Sequence, residues 1–346
     1  MGTTSRFGWL RGVQHVLLIL LVTVIGVRAY LQAGGRTLDP SPAAPVRTIF
    51  IKPKTGVHEI AQILREAGVI QSRWGFLALA YLQGSLPRLH AGEYEFGRDA
   101  SLLEVLRKLE AGRVVTHQVT FPEGFSAQEI ARVLAGEQLV DFDRFLSLVS
   151  DRDFAAELGL HTPGLEGYLF PDTYRLTRGM GEAEILRLMV ARFRRMLPPD
   201  VRERARAVGL DLHQVITLAS LIEKEARLER ERPLISAVFH NRLRREMPLQ
   251  SDPTAVYGLP AASGRRITAT DLQRESPYNT YLRSGLPPGP IASPGLDAIM
   301  AALRPARTDY LYFVAKNDGS HVFSRTLGEH SRAVGIYQRR GRGAGE

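Results

Sequence analysis

The stretch from Asp211 to Arg230 constrains this chain more than any other. It reads as one strong helix. Its apolar positions Leu212, Val215, Ile216, Ala219, Ile222 and Ala226 recur at i, i+3 and i+4. Glu223 follows Ala219 by four residues and Ile216 by seven, so a carboxylate falls on the face that must be buried. Glu225 lies about 200° further round the helix, on its polar side.

Burying a carboxylate is costly unless it is paired or functional. Desolvation favours the neutral form, and a carboxylic acid still protonated near neutral pH is what leaving-group protonation of a glycosidic bond requires. Periodicity leaves a second reading open, a structural ion pair with an arginine from another element. Glu225 and Glu229, four apart, read as a solvated face.

The N-terminus carries a membrane signal. Val16 to Val27 (VLLILLVTVIGV) is uncharged and almost wholly apolar. Extended from Trp9 to Tyr30, it approaches the ~20 residues that cross a bilayer, with aromatics at the interfaces and Arg11 and Arg28 able to snorkel. A cleaved signal peptide would give a similar run, but no A-x-A site follows. The expected organisation is a short cytoplasmic segment (1–12), a transmembrane anchor (13–31) and a Gly/Pro/Ala-rich linker (32–46). Arg6 and Arg11 before the span and Arg28 and Arg36 after it leave orientation unsettled by charge.

Beyond the linker the fold class is α+β. A small β/α unit (47–115) shows strand character at Thr48–Ile51 and a helix carrying Ile60, Ile63 and Leu64. A helix near Trp74–Leu82, a strand at Ala91–Phe96 and a helix with Leu102, Val105, Leu106 and Leu109 inward complete it. A larger mixed α/β domain (116–338) opens with a strand at Val114–Phe121. The Pro122-Glu-Gly124 turn and a capping box of Ser126 and Glu129 follow. Helical patterns occupy 142–150, 182–196 and 200–208, and turn-rich segments run from Met247 to Gly295. Tyr310–Val314, Asn317-Asp-Gly319 and His321–Phe323 predict a hairpin. The tail, 339–346, is expected to be disordered.

Composition narrows the chemistry. The 346 residues carry a formal net charge of +9 and no cysteine. That excludes disulfides, thiol catalysis and thiolate metal sites. The nine histidines form no HExxH and no His-x-His pair, so neither a metal nor a cofactor is expected. Positive charge suits an anionic partner. Arg187, Arg192, Arg194 and Arg195 are dispersed as on a solvated face, and no helix interleaves basic and aromatic residues, which argues against nucleic acid.

Several ordered motifs surround the central helix. They are Glu166-Gly-Tyr-Leu-Phe-Pro-Asp-Thr-Tyr174, Ala219-Ser-Leu-Ile-Glu-Lys-Glu-Ala226, Phe239-His-Asn-Arg-Leu243, Met247-Pro-Leu-Gln-Ser-Asp-Pro-Thr254 and Tyr257-Gly258. Ser276-Pro-Tyr-Asn-Thr-Tyr281, Gly285-Leu-Pro-Pro-Gly-Pro-Ile291, Ser293-Pro-Gly295 and Tyr310-Leu-Tyr-Phe-Val-Ala315 follow. Together this set resembles the endolytic murein transglycosylases of the MltG/YceG-like family, over roughly residues 47–338.

The resemblance implies a single-pass inner-membrane protein with its large domain in the periplasm. It implies a LysM-like subdomain at 47–115 and a catalytic domain at 116–338 that cleaves peptidoglycan glycan strands between MurNAc and GlcNAc. The products would be 1,6-anhydro-MurNAc ends, made while trimming or terminating nascent strands in wall elongation, with peptidoglycan synthases as partners. The first glutamate of the family's E-K-E motif is its catalytic residue and falls on Glu223.

Gln250, Asp252, Thr254, Tyr278, Asn279 and Tyr281 lie in turn-rich segments suited to sugar hydroxyls and ring faces, and Tyr168, Asp172 and Tyr174 could do likewise. Against this stand core packing for the aromatics and turn capping for Asp252 and Asn279. Two other classes compete. One is an ordinary glycoside hydrolase pairing Glu223 with Asp252, Glu166 or another carboxylate. The other is a non-catalytic glycan binder built around the N-terminal unit.

Overall fold

The computed structural model describes residues 46–97, 100–259 and 267–339. The anchor expected at 13–31, the cytoplasmic segment before it, nearly all of the linker and the tail lie outside the described residues. Among the described residues no helix is long and apolar enough to cross a membrane. The mixture of many helices with three two-stranded sheets is α+β, as the sequence predicts.

The chain divides into two compact units. The first gathers the described residues up to His117 with Arg175–Met180. Its strands β1 (Arg47–Ile51) and β2 (Gly92–Phe96) pair antiparallel with Ile49 opposite Tyr94. Helices α1 (Val57–Glu66), α2 (Arg73–Leu82) and α3 (Leu102–Glu110) supply the rest of its core. Ile51, Leu64, Phe76, Leu79, Tyr94, Leu106 and Leu109 are buried together. Amphipathic spacing produces this: α3 turns Val105, Leu106 and Leu109 inward and starts on a Ser101/Glu104 capping box.

The second unit holds Gln118–Tyr174 and the chain from Gly181 onward. Of the sheet formed by β3 (His117–Thr120) and β4 (Thr173–Leu176), residues Gln118–Thr120 and Thr173–Tyr174 fall in this unit. Helix α4 (Ala127–Gly136) starts on the expected Ser126/Glu129 box. After α5 (Phe142–Val149), α6 (Arg152–Glu157), α7 (Glu182–Met196) and α8 (Val201–Ala207) comes the central helix α9 (Leu212–Glu225). Then follow α10 (Arg232–Arg244), the short α11 (Asp252–Val256) and α12 (Ala269–Leu272), and α13 (Leu296–Leu303). The hairpin β5 (Tyr312–Ala315) and β6 (His321–Ser324) and helix α14 (Leu327–Val334) close the unit. The hairpin is the predicted one, with Asn317 and Gly319 supplying the positive-φ positions of its turn.

Two expectations about α9 need correction. The helix ends at Glu225, because Ala226 turns extended (φ −80°, ψ 116°) and a new helix starts at Arg232-Pro233, with proline in its first turn. Nor is there a polar side in its middle. Every residue from Val215 to Ile222 is buried, since α9 packs against α8, α10, α11 and α13. Apolar periodicity marks one face, whereas a helix enclosed by neighbours buries all of them.

Helix α10 explains the Phe239–Leu243 motif. Its buried polar side chains hold backbone carbonyls of the C-terminal segments. Ser236 Oγ donates to Ala301 O (2.7 Å), His240 Nε2 bonds Ala302 O (2.9 Å), and Asn241 Nδ2 donates to Thr308 O and Tyr310 O (2.9 and 2.7 Å). Arg242 donates to the carbonyls of Leu311, Pro248 and Leu249 at 2.7, 3.1 and 2.9 Å. Burial pushes the Arg242 guanidinium below its usual range. Arg242→Met should strand these three carbonyls and cost at least about 3 kcal/mol. Urea unfolding checks it; a loss within experimental error would mean that water replaces the guanidinium.

Candidate active site

The last turn of α9 carries the acidic pair of the E-K-E motif. The Glu223 side chain is only 7% exposed. Its Oε2 accepts the Gly295 N–H at 3.1 Å and its Oε1 faces Arg232 Nη2 at 3.4 Å. Gly295 is the N-cap of α13, so the C-terminal end of one helix meets the N-terminal end of another.

Arg232 is shared. Its Nη2 also lies 3.3 Å from Glu123 Oε2, and its Nη1 3.6 Å from Asp297 Oδ2. Glu123 reaches this point through its turn. Gly124, at φ +81°, donates its N–H to Ser293 O (2.8 Å), and Ser293 returns its own to Phe125 O (2.7 Å). Lys224 Nζ donates to Gly124 O at 3.3 Å. Burial, and then the nearby charge of Glu223, hold the Glu123 carboxyl above the usual carboxylate range.

Glu225 is not on a solvated face. Its carboxyl is enclosed, Ser251 Oγ donates to it at 2.6 Å, and burial pushes it up to about 7. The angular separation from Glu223 is real, but α11 and the loop before it cover that side.

A cleft of about 420 Å³ lies alongside, lined among others by Lys224, Arg132, Glu166, Tyr257 and Tyr278. Glu223 is not among its lining residues; Lys224, next in sequence, is. Within the cleft Glu166 accepts the Ala127 N–H at 3.0 and 3.2 Å and the Tyr257 hydroxyl at 3.0 Å. Burial outweighs these bonds and raises it to about 7. The Tyr257 and Tyr278 rings lie 4.6 Å apart.

The structure sorts the residues expected to bind substrate. Tyr278 lines the cleft. Asp252 and Gln250 are exposed; Asp252 accepts the Tyr281 hydroxyl, and Gln250, at φ 51°, accepts Arg242 Nη1 at 3.2 Å. Thr254 is buried against Ser251 O (2.6 Å) and Thr280 Oγ1 (2.8 Å), and Asn279 is buried on the carbonyls of Leu272 and Arg274 (3.0 and 2.8 Å). Tyr168 is buried and bonds His213 Nδ1 at 2.8 Å. Tyr174 is also buried and donates to Phe170 O at 2.6 Å. Asp172 pairs with Arg192 at 2.5 Å. Neither Asp252 nor Glu166, the partners weighed for a hydrolase, shares a cation with Glu223; Glu123 does. Sequence reasoning treated Glu123 only as part of a turn and Tyr257 only as part of a Tyr-Gly motif, and did not find Arg232. A polar residue held between Pro122 and Gly124 was the available signal for Glu123. Arg232 had none, since it sits beyond a helix end that the pattern concealed.

These features define a class: an α+β protein whose enclosed carboxylates gather beside a polar and aromatic cleft, an acid–base arrangement. The YceG-like family model matches residues 49–335, and the chain belongs to that family, as its motifs suggested. The chain is 34% identical over 325 residues to the endolytic murein transglycosylase of Bacillus subtilis strain 168, covering 88% of this chain and 89% of that protein. It is 31% identical over 320 residues to the endolytic murein transglycosylase of Streptococcus pneumoniae D39, covering 83% and 57%. A YceG-like protein of Listeria monocytogenes, known from its crystal structure, superposes with a TM-score of 0.57 at 32% identity, covering 82% of this chain and 97% of that one.

The enclosed carboxyls make stability depend on pH. Glu166 and Glu225, raised from 4.5 to about 7, keep a proton in the folded protein that the unfolded chain has released. Stability is therefore fully present at acidic pH and falls as pH rises through that window, by on the order of 2 kcal/mol per group. Glu225→Gln should remove its share, giving a shallower decline of Tm between pH 4.5 and 7 and a higher Tm above it. An unchanged slope would place this charge in open solvent.

Proposed function

We propose that this chain is an endolytic murein transglycosylase that cleaves peptidoglycan between MurNAc and GlcNAc, with Glu223 as its acid and base. One observation carries the assignment of Glu223. The first carboxylate of the E-K-E motif is enclosed, held at both oxygens, and one residue from Lys224 in the cleft wall.

Glu223 gives its proton to the glycosidic oxygen as the bond from C1 breaks. The MurNAc 6-hydroxyl oxygen attacks C1, and its proton passes to the Glu223 carboxylate. The ring closes as a 1,6-anhydro sugar, the acid is restored, and no water is consumed, so one carboxyl serves both steps. Lys224 and Arg132 give the cleft wall positive charge, which suits the lactyl and stem-peptide carboxylates of the polymer. The Tyr257–Tyr278 pair offers ring faces to sugars.

In this reading residues 13–31 anchor the chain in the inner membrane with both units in the periplasm. The first unit is a LysM-like glycan binder, and peptidoglycan synthases supply the nascent strands that the enzyme trims or terminates.

Glu223→Gln keeps the shape and one of the two acceptor oxygens, but it cannot deliver and recover a proton. Release of anhydro-muropeptides, measured by mass spectrometry, should fall by ~10²–10⁴-fold with an unchanged unfolding curve. Near wild-type release would remove Glu223 from the chemistry. Unfolding of the variant would make it a structural ion-pair partner. Reducing ends in place of anhydro ends from the wild type would make the protein a hydrolase.

A further inference from the structure

Gly295 has an ordinary extended backbone (φ −72°, ψ 169°) that any residue can adopt. What a side chain there would have to displace is the Glu123 carboxyl. A Cβ on Gly295 would stand 1.9 Å from Glu123 Oε1 and 2.0 Å from its carboxyl carbon. The glycine makes room for one carboxylate, and its N–H binds the other, Glu223.

We propose that Glu123 is a positioning residue for Glu223, keeping it able to carry a proton by taking a share of Arg232. This rests on Glu223 being the acid of the reaction. An arginine facing Glu223 alone would fix it as a carboxylate, the wrong form for protonating a leaving group. The arrangement avoids this by crowding the cation. Arg232 on α10 faces Glu223 on α9, Glu123 in the β3–α4 turn and Asp297 on α13. The charge of Glu229, in the turn before α10, also acts on Glu123, and Lys224 holds the Gly124 carbonyl beside it. Three carboxylates facing one guanidinium leave negative charge in excess, so retaining a proton in the group is favoured. Burial raises the Glu123 carboxyl first, and the charge of Glu223 raises it further.

The test is the pH profile of kcat/KM for anhydro-muropeptide release by the full-length protein in detergent. A general acid is lost on the alkaline limb. Glu123→Gln removes a negative charge of the same shape, so that limb should move to lower pH by about one unit. The rate should fall about tenfold on the limb and little on the acid side. Gly295→Ala pushes the flexible Glu123 carboxyl away and should move the limb in the same direction. Arg232→Gln should move it the opposite way. An unmoved limb in Glu123→Gln and Gly295→Ala overturns the proposal, as does a uniform loss at all pH values. Should Arg232→Gln not fold, those two variants decide alone. Glu223→Gln, assayed in parallel, separates the failures. If it still releases anhydro ends, the assignment of Glu223 is wrong. If it is dead while the Glu123→Gln limb stays in place, only the role of Glu123 is.

Discussion

The structure depends on enclosing α9. From Val215 to Ile222 this helix has no solvent-facing side, so each polar group on it must find a protein partner. Ser220 shows the solution in its middle: its hydroxyl donates to Thr217 O at 2.7 Å and accepts the Ile291 N–H at 3.1 Å. The harder problem lies at the end. Glu223 and Glu225 occupy the last turn, where the helix dipole already disfavours negative charge. Each is resolved differently. Glu223 meets the Arg232 guanidinium at one oxygen and the Gly295 N–H at the start of α13 at the other. Among the described residues Glu225 meets the Ser251 hydroxyl in place of a cation, and burial pushes its carboxyl up to about 7.

That contrast fits the carboxyl groups to separate tasks. Glu225 and Glu166 are enclosed with no cation paired to them among the described residues, and desolvation raises them to about 7. They organise walls, Glu166 by joining the first turn of α4 to Tyr257 and Glu225 by fixing the loop before α11. Glu223 alone among the three has a cation within reach and a backbone donor on its other oxygen. That surround gives both of its oxygens a fixed partner.

Much of this was legible in the sequence, for reasons that differ by element. The Leu102–Glu110 helix, the Ser126/Glu129 box and the hairpin at 312–324 are local: spacing, a capping pair and a turn signal suffice. The enclosure of Glu223 was legible because its neighbours at i−4 and i−7 are apolar. Glu225 was misread because the cover on its side comes from Ser251 and α11, 26 residues away, and periodicity holds no information about them. Thr254, Asn279, Tyr168 and Tyr174 sit in motifs as polar as a binding groove would demand. Their hydrogen bonds run to loop carbonyls, a hydroxyl and a histidine inside the protein. Motif composition alone does not separate a residue that touches substrate from one that shapes the loop that does.

The position of Arg232 shows how far such control extends. A guanidinium in the first turn of a helix opposes the dipole, so its placement needs fixing from outside. The residue before it does this. Glu231 is buried, and its carboxylate takes the backbone N–H of His321 at 3.2 Å and bonds the ring Nδ1 at 2.7 Å, both on β6. Asn241 and Arg242, further along α10, bind the carbonyls of Tyr310 and Leu311 just before β5. The C-terminal hairpin thus grips α10 at both ends and sets where Arg232 can stand. Glu223 therefore faces a cation whose helix is held by residues about ninety positions downstream.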